Sequence, residues 1–209
     1  MGLFNYDGPF MTALRKVVNY VLLGILWMIA SLPIITFGAA TTAMFYTAEN
    51  IVRKDREKLF STFWGSFRTE FKQATMLWII AVLLIVPLTV NAYLLWTMEL
   101  PSYIYALLFL SVLFGFCWMQ FWFAYLSTFE DTVRTVLGNT FRVVLTRVPW
   151  ACLMLLIAAA AVAVAVVAFF FAPPVLFIIP GIYIMLASRV FRIIFKSFLP
   201  TEEDENTEG

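Results

Sequence analysis

A chain of 209 residues that is 63% hydrophobic, 18% aromatic and only 13% charged lies outside the range of soluble domains, in which about a quarter of residues are charged. The net charge of +1 hides an asymmetry, because Thr201 to Gly209 holds five of the thirteen acids and no base, and the basic body that remains suits the anionic cytoplasmic leaflet. Two cysteines, Cys117 and Cys152, sit in apolar runs and imply no disulfide framework, and the absence of histidine removes the commonest general base and the commonest neutral metal ligand.

All fourteen Lys and Arg residues fall into four clusters. These are Arg15 and Lys16; Arg53 to Lys72; Arg134, Arg142 and Arg147; and Arg189, Arg192 and Lys196. Between them run Val17 to Ala48, Ala74 to Met98, Leu100 to Phe129 and Val148 to Ser188 without a charged side chain, and about 20 apolar residues suffice for one helical span. The pattern predicts an all-α, polytopic transmembrane helix bundle, with residues 1–200 as one membrane domain and 201–209 as a disordered acidic tail.

In chain order, Tyr6-Asp7-Gly8-Pro9 reads as a turn that starts an N-terminal interfacial helix, with Asp7 near its cap. Arg15 and Lys16 followed by an apolar stretch resemble a signal peptide, but the stretch exceeds the roughly 7 to 15 residues of a signal core, so it reads as retained. Pro33 and Gly38 divide the first long run into spans 17–32 and 36–52. The remaining spans are 74–97, 103–127, 149–171 and 175–195, with Pro87 and Pro180 each expected to kink its helix. Six spans put every basic cluster on the cytoplasmic side and make both termini cytoplasmic. The alternative is five, with Arg15 and Lys16 outside and 39–52 as a helix extension.

Two segments read as cytoplasmic-side amphipathic helices lying in the membrane surface. In 56–72, Phe60, Phe63, Trp64, Phe67 and Phe71 recur at helical spacing, with Arg68 and Lys72 on other faces. In 130–147, Val133, Val136, Leu137, Phe141, Val144 and Leu145 form the apolar stripe beside Arg142. Both precede a span, and Phe67-Arg68 with Phe71 parallels Phe141-Arg142 with Leu145, which suggests a repeated unit. Phe63, Phe67, Arg68, Phe71, Lys72 and Arg142 are the candidate contacts to a protein partner or lipid head groups. So continuous an apolar stripe argues against nucleic acid.

No motif for phosphate, metal or nucleophilic chemistry occurs, and the acids flank the spans instead of entering them, unlike a proton-coupled carrier. No enzymatic activity, cofactor or metal is expected. Polar residues within spans, among them Thr36, Thr41, Asn91 and Gln120, read chiefly as helix-to-helix hydrogen bonds. Ala39 with Ala43, and the tract from Ala158 to Ala168, read as close-packing surfaces. Trp27, Trp64, Trp78, Trp96 and Trp150 read as an interfacial aromatic belt.

The N-terminal wording carries a resemblance. Gly2-Leu3-Phe4-Asn5-Tyr6-Asp7-Gly8-Pro9-Phe10-Met11, Ser31-Leu32-Pro33-Ile34-Ile35-Thr36-Phe37-Gly38-Ala39, and Phe63-Trp64-Gly65-Ser66-Phe67-Arg68-Thr69-Glu70-Phe71-Lys72-Gln73-Ala74-Thr75 resemble the YesL-like family of bacterial membrane proteins over residues 2–80. Tyr6, Asp7, Pro9, Phe10, Pro33, Thr36 and Gly38 are the family-like positions. The resemblance implies a protein of the bacterial plasma membrane, often encoded near carbohydrate uptake systems and their regulators, with no established activity. The expected function is that of a non-enzymatic accessory of such a system, contacting transporter or sensor subunits. A small-solute facilitator with a path by Pro87, Pro180, Asn91 and Gln120 is the alternative.

Overall fold

The computed structural model describes residues 9–52, 54, 58–96, 102–129 and 131–195, and among them every regular element is helical. Tyr6, Asp7, the residues around Glu99 and the acidic tail lie outside this set. Eight α-helices follow one another: α1 (Pro9–Ser31), α2 (Phe37–Thr47), α3 (Leu59–Thr69), α4 (Phe71–Trp96), α5 (Ser102–Leu126), α6 (Val133–Thr146), α7 (Val148–Phe171) and α8 (Ile179–Phe195). Among the described residues five stretches, Phe10–Ser31, Phe71–Asn91, Tyr103–Leu126, Val148–Phe171 and Pro173–Phe195, are long and apolar enough to cross a membrane. Helices are the natural outcome, since hydrocarbon offers no partner for an unpaired backbone group.

Three expectations change. The expected helix after Pro9 and the expected span from Val17 are one continuous helix, Pro9–Ser31, so Arg15 and Lys16 lie inside it; Pro is well suited to a first helical position, and the long basic side chains can reach the interface from within it. Segment 36–52 is not one long helix. After the break at Leu32-Pro33 a 3-10 turn (Ile34–Thr36) leads into α2, whose 11 residues pass into a five-residue π-helical turn, Ala48–Val52. Pro180 does not kink a span, because the chain from Pro173 to Phe177 is a 3-10 turn and α8 starts at Ile179; a proline in the first turn of a helix removes no intrahelical bond. Pro87 does lie inside α4.

The short helices adjoin long ones in the same way twice. Only Glu70 separates α3 from α4, and only Arg147 separates α6 from α7. Helix α6 is also clasped to α5 by polar bonds. The Trp118 indole N–H donates to Thr140 Oγ1 (3.0 Å), Asn139 Nδ2 donates to the Tyr125 hydroxyl (2.8 Å), and that hydroxyl donates to Asp131 (2.8 Å).

Around this frame, α1 packs along α8, α2 against α3 and α4, α4 along α5, and α7 along α8. The α1–α8 crossing depends on two glycines, for a Cβ on Gly24 would lie 2.7 Å from Gly181 N, and one on Gly181 would lie 2.5 Å from the Tyr20 carbonyl oxygen. Ala39, Ala40, Ala43 and Ala48 are fully buried, so small residues bring α2 close to its neighbours as the sequence implies. Many large side chains on α4, α5 and α7 face outward, Leu83, Phe109 and Leu156 among them, as a lipid-facing surface requires.

Candidate functional site

The aromatic stripe of α3 turns inward. Phe63 is fully buried, and its ring stands edge-on to Trp64 and stacked with Phe67, which meets Phe71 in turn. Phe63 is therefore a core residue and not a contact for a partner, while Phe67 and Phe71 are half-buried and packed against the core. Residues 63 and 67 are one turn apart on α3, Phe71 continues the run from the start of α4, and α3 packs against α2. The outward positions are Phe60, Arg68 and Lys72, all exposed. On α6, Arg142 is exposed, and Phe141 stands outward yet touches Phe114 and Trp118 of α5 edge-on.

Among the family-like positions that the structure describes, Thr36 and Gly38 have structural roles. Thr36 donates its hydroxyl to Ala30 O and Pro33 O (2.6 and 2.7 Å), closing the turn that Pro33 begins. Gly38 admits α4, since a Cβ there would sit 2.4 Å from the Ala74 carbonyl oxygen. Phe10 is exposed near the start of α1, where Pro9 opens the helix.

What the sequence did not suggest is a partly open cavity of about 320 Å³ bordered by α1, α2, α5, α7, α8 and the turn Pro173–Phe177. Its walls are almost wholly apolar. Met44, Phe45, Phe123 and Ile184 form part of it, and one side is the alanine face of α7, with Ala158, Ala161 and Ala165. The polar side chains on the wall are few, and most of their polar atoms are paired with one another. Trp27 donates its indole N–H to Thr41 Oγ1 (3.1 Å), and the Tyr183 hydroxyl donates to Gln120 Oε1 (2.9 Å). The half-buried Trp27 thus ties α1 to α2 through its indole. Gln120 and Pro180 meet at this cavity, but Asn91, exposed on α4, donates to Pro87 O of its own helix (2.8 Å) and takes no part in it. A polyol or ion would find few polar partners along these walls.

Glu49, in the π turn after α2, lies 3.8 Å from Arg192 of α8, beside the edge-on pair Phe45–Phe191. Both side chains are partly exposed, so the ion pair contributes about 0–1 kcal/mol and fixes position more than it stabilises. Among the described residues no group of three His, Cys, Asp or Glu side chains is placed to hold a metal ion. Cys117, buried in α5, donates its thiol to the Ala151 carbonyl at 3.5 Å, and Cys152 is exposed.

No curated protein and no solved structure matches the chain. Residues 20–92 match the family described as "Protein of unknown function, DUF624", a stretch that holds most of α1, the turn at Pro33, α2, α3 and most of α4. With five helices long and apolar enough to cross a membrane, this match fits an integral membrane protein of unknown activity.

Proposed function

We propose that this is a YesL-like protein of the bacterial plasma membrane that acts without catalysis, as an accessory or regulatory partner of a carbohydrate uptake system. The observation that carries the reading is the exposure of bases on and beside the two short helices: Arg68 at the end of α3, Lys72 at the start of α4, and Arg142 on α6. Exposed cations on an anchored helix suit an acidic face of a membrane-bound transporter or sensor subunit, because complementary charge steers and orients association. In a tagged pull-down from detergent or nanodisc samples, such subunits are expected to co-purify. The double substitution Arg68→Glu, Lys72→Glu is expected to reduce their recovery several-fold. Recovery of the protein alone, or recovery indifferent to both charge reversals, rejects the proposal.

In this reading the chain crosses the membrane six times, with α2 and its π turn as a short second crossing and both termini cytoplasmic. Eleven plus five residues extend about 24 Å at 1.5 Å per residue, less than the roughly 30 Å of hydrocarbon. A helix surrounded by α1, α3, α4 and α5 meets little lipid, so mismatch weighs on it less than on a lipid-facing one. Support comes from the charge pattern, since six crossings leave all four basic clusters on one side. A cysteine placed at the exposed Ile34, in a chain with Cys117 and Cys152 replaced by Ala, is expected to react with a membrane-impermeant maleimide added outside intact cells. Labelling of that site only after lysis favours five crossings.

A further inference from the structure

Bases and apolar side chains share the outward face of α6. Val136, Thr140, Val143 and Val144 are buried against the bundle, which turns Arg134, Gly138, Phe141, Arg142 and Leu145 outward along one stripe, three or four residues apart. Arg147 and Val148, at the junction with α7, are exposed as well. Phe141, Leu145 and Val148 are 40%, 54% and 51% exposed, so a face turned wholly to water would leave these apolar side chains wet. Three arginines are equally out of place in hydrocarbon. A helix that exposes both kinds lies at the level of the head groups, with its apolar side chains toward the acyl chains and its bases toward the phosphates.

The start of α7 fixes that level independently. It follows Arg147 directly, and from Val148 no charged side chain occurs before Arg189. Val148–Phe171 is long and apolar enough to span the bilayer, and Trp150, in its first turn, is a ring of the kind that collects at the interface. The charge on the face is also unbalanced. Helix α6 contains no acid, the nearby Asp131 carboxylate accepts from the Tyr125 hydroxyl (2.8 Å), and among the described residues no ion pair reaches Arg134, Arg142 or Arg147.

We infer that the outward face of α6 binds anionic phospholipid in the leaflet where the helix lies, with the phosphate held by Arg142 and Arg147 and the acyl chains resting against Phe141, Leu145 and Val148. A zwitterionic lipid carries its own cation beside the phosphate and so brings no net charge to three unpaired guanidinium groups. An anionic lipid does. That all three bases are arginine fits this ligand, because a guanidinium engages two phosphate oxygens at once and is more weakly hydrated than an ammonium. The inference rests on the membrane location of the chain and not on the identity of a protein partner. Arg142 is turned to lipid, and Arg68 and Lys72, on and beside the other short helix, remain for such a partner.

The test uses the purified full chain in nanodiscs of phosphatidylcholine with a minor fraction of phosphatidylglycerol bearing the same acyl chains. After transfer to a mild detergent, the lipids that stay bound are counted by native mass spectrometry. The wild type is expected to retain phosphatidylglycerol well above its share of the bilayer. Arg142→Gln with Arg147→Gln is expected to weaken that retention about five-fold or more, since each base beside an anionic surface contributes about that factor. Lys54→Gln with Arg189→Gln removes two exposed bases elsewhere and is expected to leave retention unchanged. All four side chains are exposed, so both double variants should fold as the parent does. Equal retention of the two lipids by the wild type, enrichment untouched by the α6 variant, or the same loss in the control overturns the inference. So does an α6 variant that loses a co-purifying protein while it still retains phosphatidylglycerol, which assigns the face to protein. No partner is present in the lipid measurement, so a pull-down that recovers the chain alone leaves its result standing.

Discussion

Phe63→Ala is expected to destabilise the protein by about 3–5 kcal/mol, the range for removing a fully buried aromatic ring. The ring is completely enclosed and lies at one end of the run Phe63, Phe67, Phe71, so its loss leaves a void that these neighbours can fill only in part. Cys117 is a convenient reporter, being buried where Cys152 is exposed. In a Cys152→Ser background, a thiol-reactive fluorophore should modify Cys117 at a markedly lower temperature in the Phe63→Ala variant. Phe60→Ala provides the contrast: this ring is 61% exposed, so its removal should leave the stability within about 0.5 kcal/mol of the parent. If Phe60 proves the more costly of the two while Phe63 is neutral, the inward orientation of the α3 stripe is wrong.

Gly181→Leu is expected to have an effect of similar size for the opposite reason. Here the substitution adds atoms where none fit. A Cβ at this position meets the Tyr20 carbonyl oxygen at 2.5 Å, the Tyr20 carbonyl carbon at 2.9 Å and Val21 Cα at 3.1 Å, all of them backbone, so no side chain can swing aside. The two helices must separate, with a cost of about 1–3 kcal/mol or more for overpacking and loss of the dispersion contacts that hold helices together in lipid, where no hydrophobic force acts between them. Gly24→Ala should act on the same crossing, since its Cβ would meet Gly181 N at 2.7 Å. Gly65→Ala and Gly138→Ala, with nothing within 4 Å of the added carbon, should leave stability unchanged or slightly raised, as Ala favours helix over Gly. Thermal unfolding followed through Cys117 separates the two groups; equal behaviour of Gly181→Leu and Gly65→Ala would refute the close crossing.

The readable parts of this protein are those decided within a few turns of chain. Charge-free runs made the long helices legible, and α4, α5 and α7 start and end within a few residues of the expected spans. The amphipathic spacing located α3 and α6. Small residues at Ala39 and Ala43 marked a close-packed helix correctly. Boundaries set by competing local signals were harder. Arg15 and Lys16 looked like the edge of a span, yet a helix can carry such side chains inside its end, and Pro180 looked like a kink until the preceding turn made it a first-turn residue.

The candidate contacts show the same limit at the level of single side chains. Periodicity grouped Phe63, Phe67 and Phe71 on one face but could not say whether that face met a partner, lipid or α2, because a stripe is apolar in all three cases. Gln120 read as a helix-to-helix bond, and its Oε1 indeed makes one with Tyr183, 63 residues along the chain; that its Nε2 remains unmet depends on what the other helices fail to supply.

By itself, then, the sequence determined that this chain forms apolar helices of membrane-spanning length, which bases group together, and that no familiar catalytic motif is present. These follow from local composition, since a helix in lipid satisfies its own backbone whatever its neighbours do. Only the tertiary structure decided which glycines touch, that the α3 aromatics are core, and that α1, α2, α5, α7 and α8 leave an apolar cavity beside an unpaired amide. A void is set by the shapes of several helices at once, and such a shape has no signature in any one of them.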